Sequence, residues 1–138
     1  MSQSDQVLLI RHGQTEWAAA GRHTGRTDVP LTAEGERQAK ALRPLLASLL
    51  GDTAPSVVLS SPMTRARRTA ELAGLPDVRI EPNLAEMDYG AYEGLTTAEI
   101  SSEVPGFTVW THPLPGGETP ALYVRPEARR YDFENALR

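Results

Sequence analysis

Apolar positions first gather in Val7-Leu8-Leu9-Ile10, a continuous run bounded by polar residues, which predicts a buried strand. A loop rich in Gly, Thr and charge runs from Arg11 to Leu31. Thr32 then stands as a helix cap before Ala39, Leu42, Leu45, Leu46, Leu49 and Leu50, whose three- and four-residue steps predict an amphipathic helix. Gly35 and Pro44 weaken that helix and predict a kink near Pro44, and Gly51-Asp52 ends it. Ser56-Val57-Val58-Leu59 predicts a second buried strand. Ser61-Pro62 reads as an N-cap with proline at the first helical position, opening a helix from about Met63 to Ala73 that Gly74 and Pro76 stop. Val78-Arg79-Ile80 is a short third strand. Leu84 to Gly94 reads as loop, Thr96-Thr97 caps a short helix reaching about Glu103, and the Pro- and Gly-rich residues 104–120 are loop. Pro126 to Leu137 has the pattern of one further amphipathic helix.

Alternating strands and helices predict an α/β fold with a mostly parallel sheet flanked by helices. Such sheets bind ligands beyond the carboxyl ends of their strands. That edge would carry Arg11-His12 after the first strand, and Ser60-Ser61 with Arg65 after the second. No internal repeat, linker or low-complexity tract divides the 138 residues, so the expectation is a single domain, 1–138.

Composition narrows the function. The formal charge of -4 and pI of about 5.4 disfavour nucleic acid or an anionic membrane as partner. Val7–Ile10 is too short for a signal core or a membrane span, so the expected localisation is cytoplasmic. Cysteine is absent, which removes disulfides and thiol catalysis. Of the 14 basic residues only Lys40 is lysine, which leaves the chain rich in planar, bidentate anion binders.

Three segments carry chemistry. In Leu9-Ile10-Arg11-His12-Gly13-Gln14-Thr15-Glu16-Trp17, a glycine turn at a strand end presents an imidazole beside a guanidinium. Neutral imidazole is a nucleophile toward phosphorus, and the arginine fork suits phosphoryl oxygens. In Ser60-Ser61-Pro62-Met63-Thr64-Arg65, Arg65 lies in the first turn of its helix, where an anion is favoured. Arg67 and Arg68 read as a solvated face. In Leu84 to Gly94, Glu86, Asp88 and Glu93 could each protonate a departing alkoxide, and spacing does not choose among them. Trp17 and Trp110 read as packing residues.

Arg11-His12-Gly13, Gly21-Arg22 to Asp28 with Pro30-Leu31-Thr32, Ser60-Ser61-Pro62 to Arg65-Ala66 with Thr69-Ala70, Glu86 to Gly94, and Gly116-Gly117-Glu118-Thr119 follow one another in order. Together they resemble the histidine phosphatase superfamily in its phosphoglycerate-mutase-like branch, and within it the broad-specificity acid phosphatases. The resemblance covers about residues 5–120 and leaves 121–138 unassigned. It implies a three-layer sandwich, with His12 as the phosphorylated nucleophile. It implies Arg11, Arg65, Thr24 and Gly25 as phosphate or substrate ligands, and Glu86 as proton donor. It implies no metal and no organic cofactor; the partner is a small phosphorylated substrate or inorganic phosphate.

Two departures qualify it. Ala18 stands where the family often has a phosphate-binding asparagine, and Gln14 is the candidate replacement. The family also continues to a strand ending in a second phosphoryl-binding histidine. That strand lies beside the first, and its motif is absent here, so the chain reads as C-terminally truncated relative to the family. His112 and His23 are the candidate substitutes. Gly94 to Gly116 is short and holds no Lys or Arg, which argues against a mutase. The expected function is phosphomonoester hydrolysis. The alternative is a catalytically weak phosphate-binding or interaction module, whose uncovered sheet edge would invite a homodimer.

Overall fold

The computed structural model describes residues 6–116. The helix expected at Pro126–Leu137, the tail 121–138 and most of the Gly-Gly-Glu-Thr segment lie outside the described residues. A short helix α1 spans Glu16–Ala19, and Thr15 caps it by accepting from the Ala18 amide. The long helix α2 spans Ala33–Leu50. Thr32 is its N-cap, accepting from the Gly35 amide at 3.0 Å, and Gly51 at φ 57° closes it. The helix passes through Pro44 as one element. Proline removes one backbone bond there, but Ala39 and Leu46 are buried and α2 packs along the next long helix, so packing holds the turn that propensity would break.

Strand β1, Val58–Ser60, runs parallel to β2, Val78–Ile80, with Val58, Leu59 and Ser60 opposite Val78, Arg79 and Ile80. Helix α3, Thr64–Leu72, joins them and packs on both β1 and α2. Ala39, Leu46, Ala70, Leu72 and Ala73 are the buried apolar residues of α2 and of α3 with its C-cap. A second cluster of Met87, Tyr89, Ile100, Phe107 and Leu114 closes around α4, Thr97–Glu103. Thr96 and Glu99 form a reciprocal capping box at its start. Single-turn 3₁₀ segments at Pro82–Leu84 and Gly90–Tyr92 shape the intervening loop. Among the described residues no helix is long and apolar enough to cross a membrane.

The α/β class, the parallel sheet and its flanking helices are as the pattern predicts. Two local expectations are corrected. Val7–Ile10 is not a strand: it has no ladder partner among the described residues, and Val7, Leu9 and Ile10 are exposed, Leu9 by 88%. Apolar composition marks a segment that fits a pleated sheet, but only a neighbouring backbone makes it a strand. Helix α3 spans its expected residues to within one at each end, but Ser61 is not its N-cap: Met63 holds that position, and the Ser61 hydroxyl accepts from the Met63 amide at 3.3 Å. The side chain that caps the helix comes from far along the chain, because Asp28 accepts from the Thr64 amide at 2.8 Å and from the Thr64 hydroxyl at 2.7 Å.

Candidate active site

The loop after Ile10 is pressed onto the start of α2 by glycines. A Cβ on Gly13 would meet the Gly35 carbonyl oxygen at 2.3 Å, and one on Gly35 would meet the Gln14 carbonyl oxygen at 2.1 Å. The Gln14 carbonyl accepts from the Thr32 amide at 2.9 Å, and its amide donates to Gln38 Oε1 at 2.9 Å. Buried Thr69 ties the same loop to α3: its hydroxyl accepts from the Gly13 amide at 3.0 Å and donates to the Arg65 carbonyl at 2.7 Å. An open cleft of about 260 Å³ results, lined by Arg11, His12, Gly13, Gln14, Ala18, Ala19 and Gln38.

His12 Nδ1 lies 2.7 Å from the Gly13 carbonyl oxygen. A carbonyl only accepts, so Nδ1 carries the proton and Nε2 keeps its lone pair. Burial lowers the His12 pKa below 6.5. The Gly13 hydrogen bond and Glu86 oppose that shift, while the positive charges of Arg65 and Arg11 add to it. The imidazole is therefore neutral at neutral pH, with two cations and one carboxylate acting on it.

Arg65 is 2% exposed. Its guanidinium donates to the carbonyls of Thr27 at 2.9 Å, Gly25 at 2.8 Å and Thr24 at 3.4 Å. Burial lowers its pKa, and Glu86, Asp28 and Glu93 counter that, so the group stays cationic. Arg11 is exposed at the cleft. Glu86 is exposed, with Oε1 accepting from the Met87 amide at 2.9 Å. Of the three candidate carboxylates it is the one whose charge acts on His12. Asp88 accepts from the Gly90 amide, and Glu93 is bound to the backbone of Gly25 and Arg26.

The remaining candidates divide. Gln14 lines the cleft, and its Oε1 accepts from the Thr32 hydroxyl at 2.9 Å. Thr24 gives its carbonyl to Arg65 and its hydroxyl to the Arg22 carbonyl. The Gly25 amide is engaged by Glu93. His23 packs in the second cluster, with its ring centroid 5.0 Å from Tyr89 and Nε2 3.1 Å from the Thr97 hydroxyl. His112 sits in the turn after Phe107, where Nδ1 accepts from the Thr108 amide at 3.2 Å. Neither histidine lines the cleft or acts on His12. Trp17 packs against Gly94 as expected, whereas Trp110 is 66% exposed. Thr69, Asp28 and Gln38 are contributors to which the sequence pattern assigns no role. The signal for Thr69 is its place one helical turn after Arg65. Asp28 and Gln38 act across long sequence separations and have no local signal. Among the described residues, no group of three His, Asp or Glu side chains is arranged to hold a metal ion.

The arrangement offers a neutral nucleophile, two guanidinium groups and one nearby carboxylate. Comparison with known proteins bears on what that serves. Residues 7–126 match the histidine phosphatase superfamily (branch 1). An acid phosphatase of Mycobacterium tuberculosis is 47% identical over 116 residues, covering 84% of this chain and 56% of that protein. An uncharacterized phosphatase, PhoE, of Bacillus subtilis is 37% identical over 103 residues, covering 72% of this chain and 51% of that protein. The solved structure of the Mycobacterium tuberculosis Rv3214 product superimposes with a TM-score of 0.77 at 44% identity, covering 91% of this chain and 62% of that one. The TTHB049 structure from Thermus thermophilus gives 0.64 at 38% identity, covering 94% and 71%. The chain spans about half the length of the curated relatives it matches.

Proposed function

The chain belongs to branch 1 of the histidine phosphatase superfamily, and from that premise we propose that residues 1–138, as one domain, hydrolyse small phosphomonoesters through a phosphohistidine on His12. The observation that carries the reading is the state of His12: a neutral ring, Nδ1 donating to Gly13, with Arg11, Arg65 and Glu86 acting on it. Nε2 attacks phosphorus, and the phosphorus–oxygen bond to the alcohol breaks. Arg11 and Arg65 neutralise the equatorial oxygens as charge spreads over them. Gln14 adds an amide donor. The departing alkoxide takes a proton from Glu86. Glu86, now a carboxylate, takes a proton from water, whose oxygen attacks phosphorus and releases inorganic phosphate and free Nε2. This chemistry needs neither metal nor organic cofactor, and the acidic chain acts in the cytoplasm on small phosphoesters.

The relative named acid phosphatase and the phosphatase PhoE support hydrolysis as the reaction class. One observation favours a second reading. The exposed apolar side chains of Val7, Leu9 and Ile10 suit a surface that another chain covers, such as a second copy of this one. In that case the protein is a phosphate-binding module. Turnover of p-nitrophenyl phosphate at acidic and neutral pH separates the two. Release of p-nitrophenol that His12→Ala abolishes supports the hydrolase. Saturable binding of inorganic phosphate without turnover, in a chain that self-associates, supports the module.

A further inference from the structure

Glu93 is one of three candidate proton donors by sequence, yet its carboxylate is fully engaged elsewhere. Oε1 accepts from the amides of Gly25 and Arg26, both at 2.9 Å, and Oε2 lies 3.1 Å from the Gly25 amide. Those two amides belong to consecutive peptide groups, 24–25 and 25–26. In a trans peptide the N–H and C=O point to opposite sides. Pinning the two amides toward Glu93 therefore turns the carbonyls of Thr24 and Gly25 the other way, and those carbonyls are the ones that receive Arg65. Gly25 is required at the centre of this arrangement, since a Cβ there would meet the Met87 carbonyl oxygen at 1.9 Å and Glu93 Oε1 at 2.5 Å.

We propose that Glu93 is a positioning residue: it fixes two peptide planes of the 24–27 loop so that their carbonyls hold the Arg65 guanidinium in one orientation. This rests on the reading of Arg65 as a ligand for phosphoryl oxygens. The role depends on acceptor geometry, not on charge. In Glu93→Gln a single carbonyl oxygen at the Oε1 position still receives both amides, and only the longer Gly25 contact to Oε2 is given up. In Glu93→Asp the charge remains but the carboxylate is one methylene too short to reach them.

The test uses the whole chain and two readouts. The first is the guanidinium NMR signal of Arg65, resolved while its N–H groups are held by carbonyls and averaged once they are free. The second is affinity for orthovanadate. Glu93→Gln is expected to keep the resolved signal and affinity within about threefold of the parent. Glu93→Asp and Glu93→Ala are expected to average the signal and weaken orthovanadate about ten- to hundredfold, the loss that goes with a charge-assisted hydrogen bond. If Glu93→Ala fails to fold, the Gln and Asp pair still decides. Retention in Asp with loss in Gln would overturn the proposal, as would an Arg65 signal that none of the substitutions changes. Arg65→Ala tests the underlying reading separately. If it leaves orthovanadate affinity intact while Glu93→Asp still frees the guanidinium, the positioning role stands and the phosphate-ligand role falls.

Discussion

Replacing Thr69 by valine probes the joint between the His12 loop and the helix that carries Arg65. The substitution keeps the volume and β-branching and exchanges the hydroxyl for a methyl group. Thr69 is 2% exposed, and Gly13 is buried with it. The Gly13 amide loses its acceptor at 3.0 Å in a place water does not reach. The Arg65 carbonyl loses less, because it keeps its helical partner, the Thr69 amide. A buried donor left unpaired costs about 1–3 kcal/mol. With an m-value of about 1–3 kcal/mol per molar urea, the unfolding midpoint should fall by about 1 M. Thr69→Ser keeps the hydroxyl and gives up one methyl, worth about 0.8 kcal/mol. Urea unfolding followed by tryptophan fluorescence measures all three chains. Valine should be the more damaging substitution, and p-nitrophenyl phosphate turnover should fall with it as His12 loses its register against Arg65. A valine variant as stable as the parent, or a serine variant less stable than the valine one, would refute the role assigned to this hydroxyl.

Three further outcomes follow from the same geometry. Gly35→Ala should destabilise although alanine favours helix: backbone atoms of Gln14 crowd the new Cβ, and overpacking costs about 1–3 kcal/mol against a helical gain of about 1 kcal/mol; thermal melting and orthovanadate binding should both weaken. Asp28→Ala removes the cap of α3 and should cost about 0.5–2 kcal/mol, read as a lower urea midpoint. Both His12 and His23 have pKa values lowered by burial, so the unfolded chain binds protons that the folded one refuses. Their contribution to stability is present above pH 6.5 and is lost as the pH falls through the depressed folded values. The thermal midpoint should therefore drop below pH 6.5, and His12→Asn should flatten that drop.

What the sequence conveys depends on how far each determinant reaches along the chain. Thr32, the Thr96 cap and Val78–Ile80 are legible because their signals are local, within four residues. A local pattern gives the cap of α3 to Ser61 because the side chain that caps it, Asp28, lies 36 residues from Thr64. Val7–Ile10 reads as a strand by composition, but ladder pairing is a property of two segments and one cannot announce it alone. At the site, Arg11-His12 is visible from its place after an apolar run, and Arg65 from its place in a first helical turn. Which carboxylate faces the histidine is not visible from spacing. Each of the three accepts from the backbone, Glu86 from Met87, Asp88 from Gly90 and Glu93 from Gly25 and Arg26, and only the folded chain shows that Glu86 is the one whose charge acts on His12.

The nitrogen that takes up phosphorus is the most direct test. The chain is mixed with p-nitrophenyl phosphate, quenched in alkali to preserve an acid-labile phosphoramidate, and examined by peptide mass spectrometry and ³¹P NMR. Because Nδ1 is held by the Gly13 carbonyl, a single phosphohistidine is expected, on Nε2 of His12, and none in His12→Ala. Phosphate on Nδ1, on another residue, or turnover that survives in His12→Ala would contradict it.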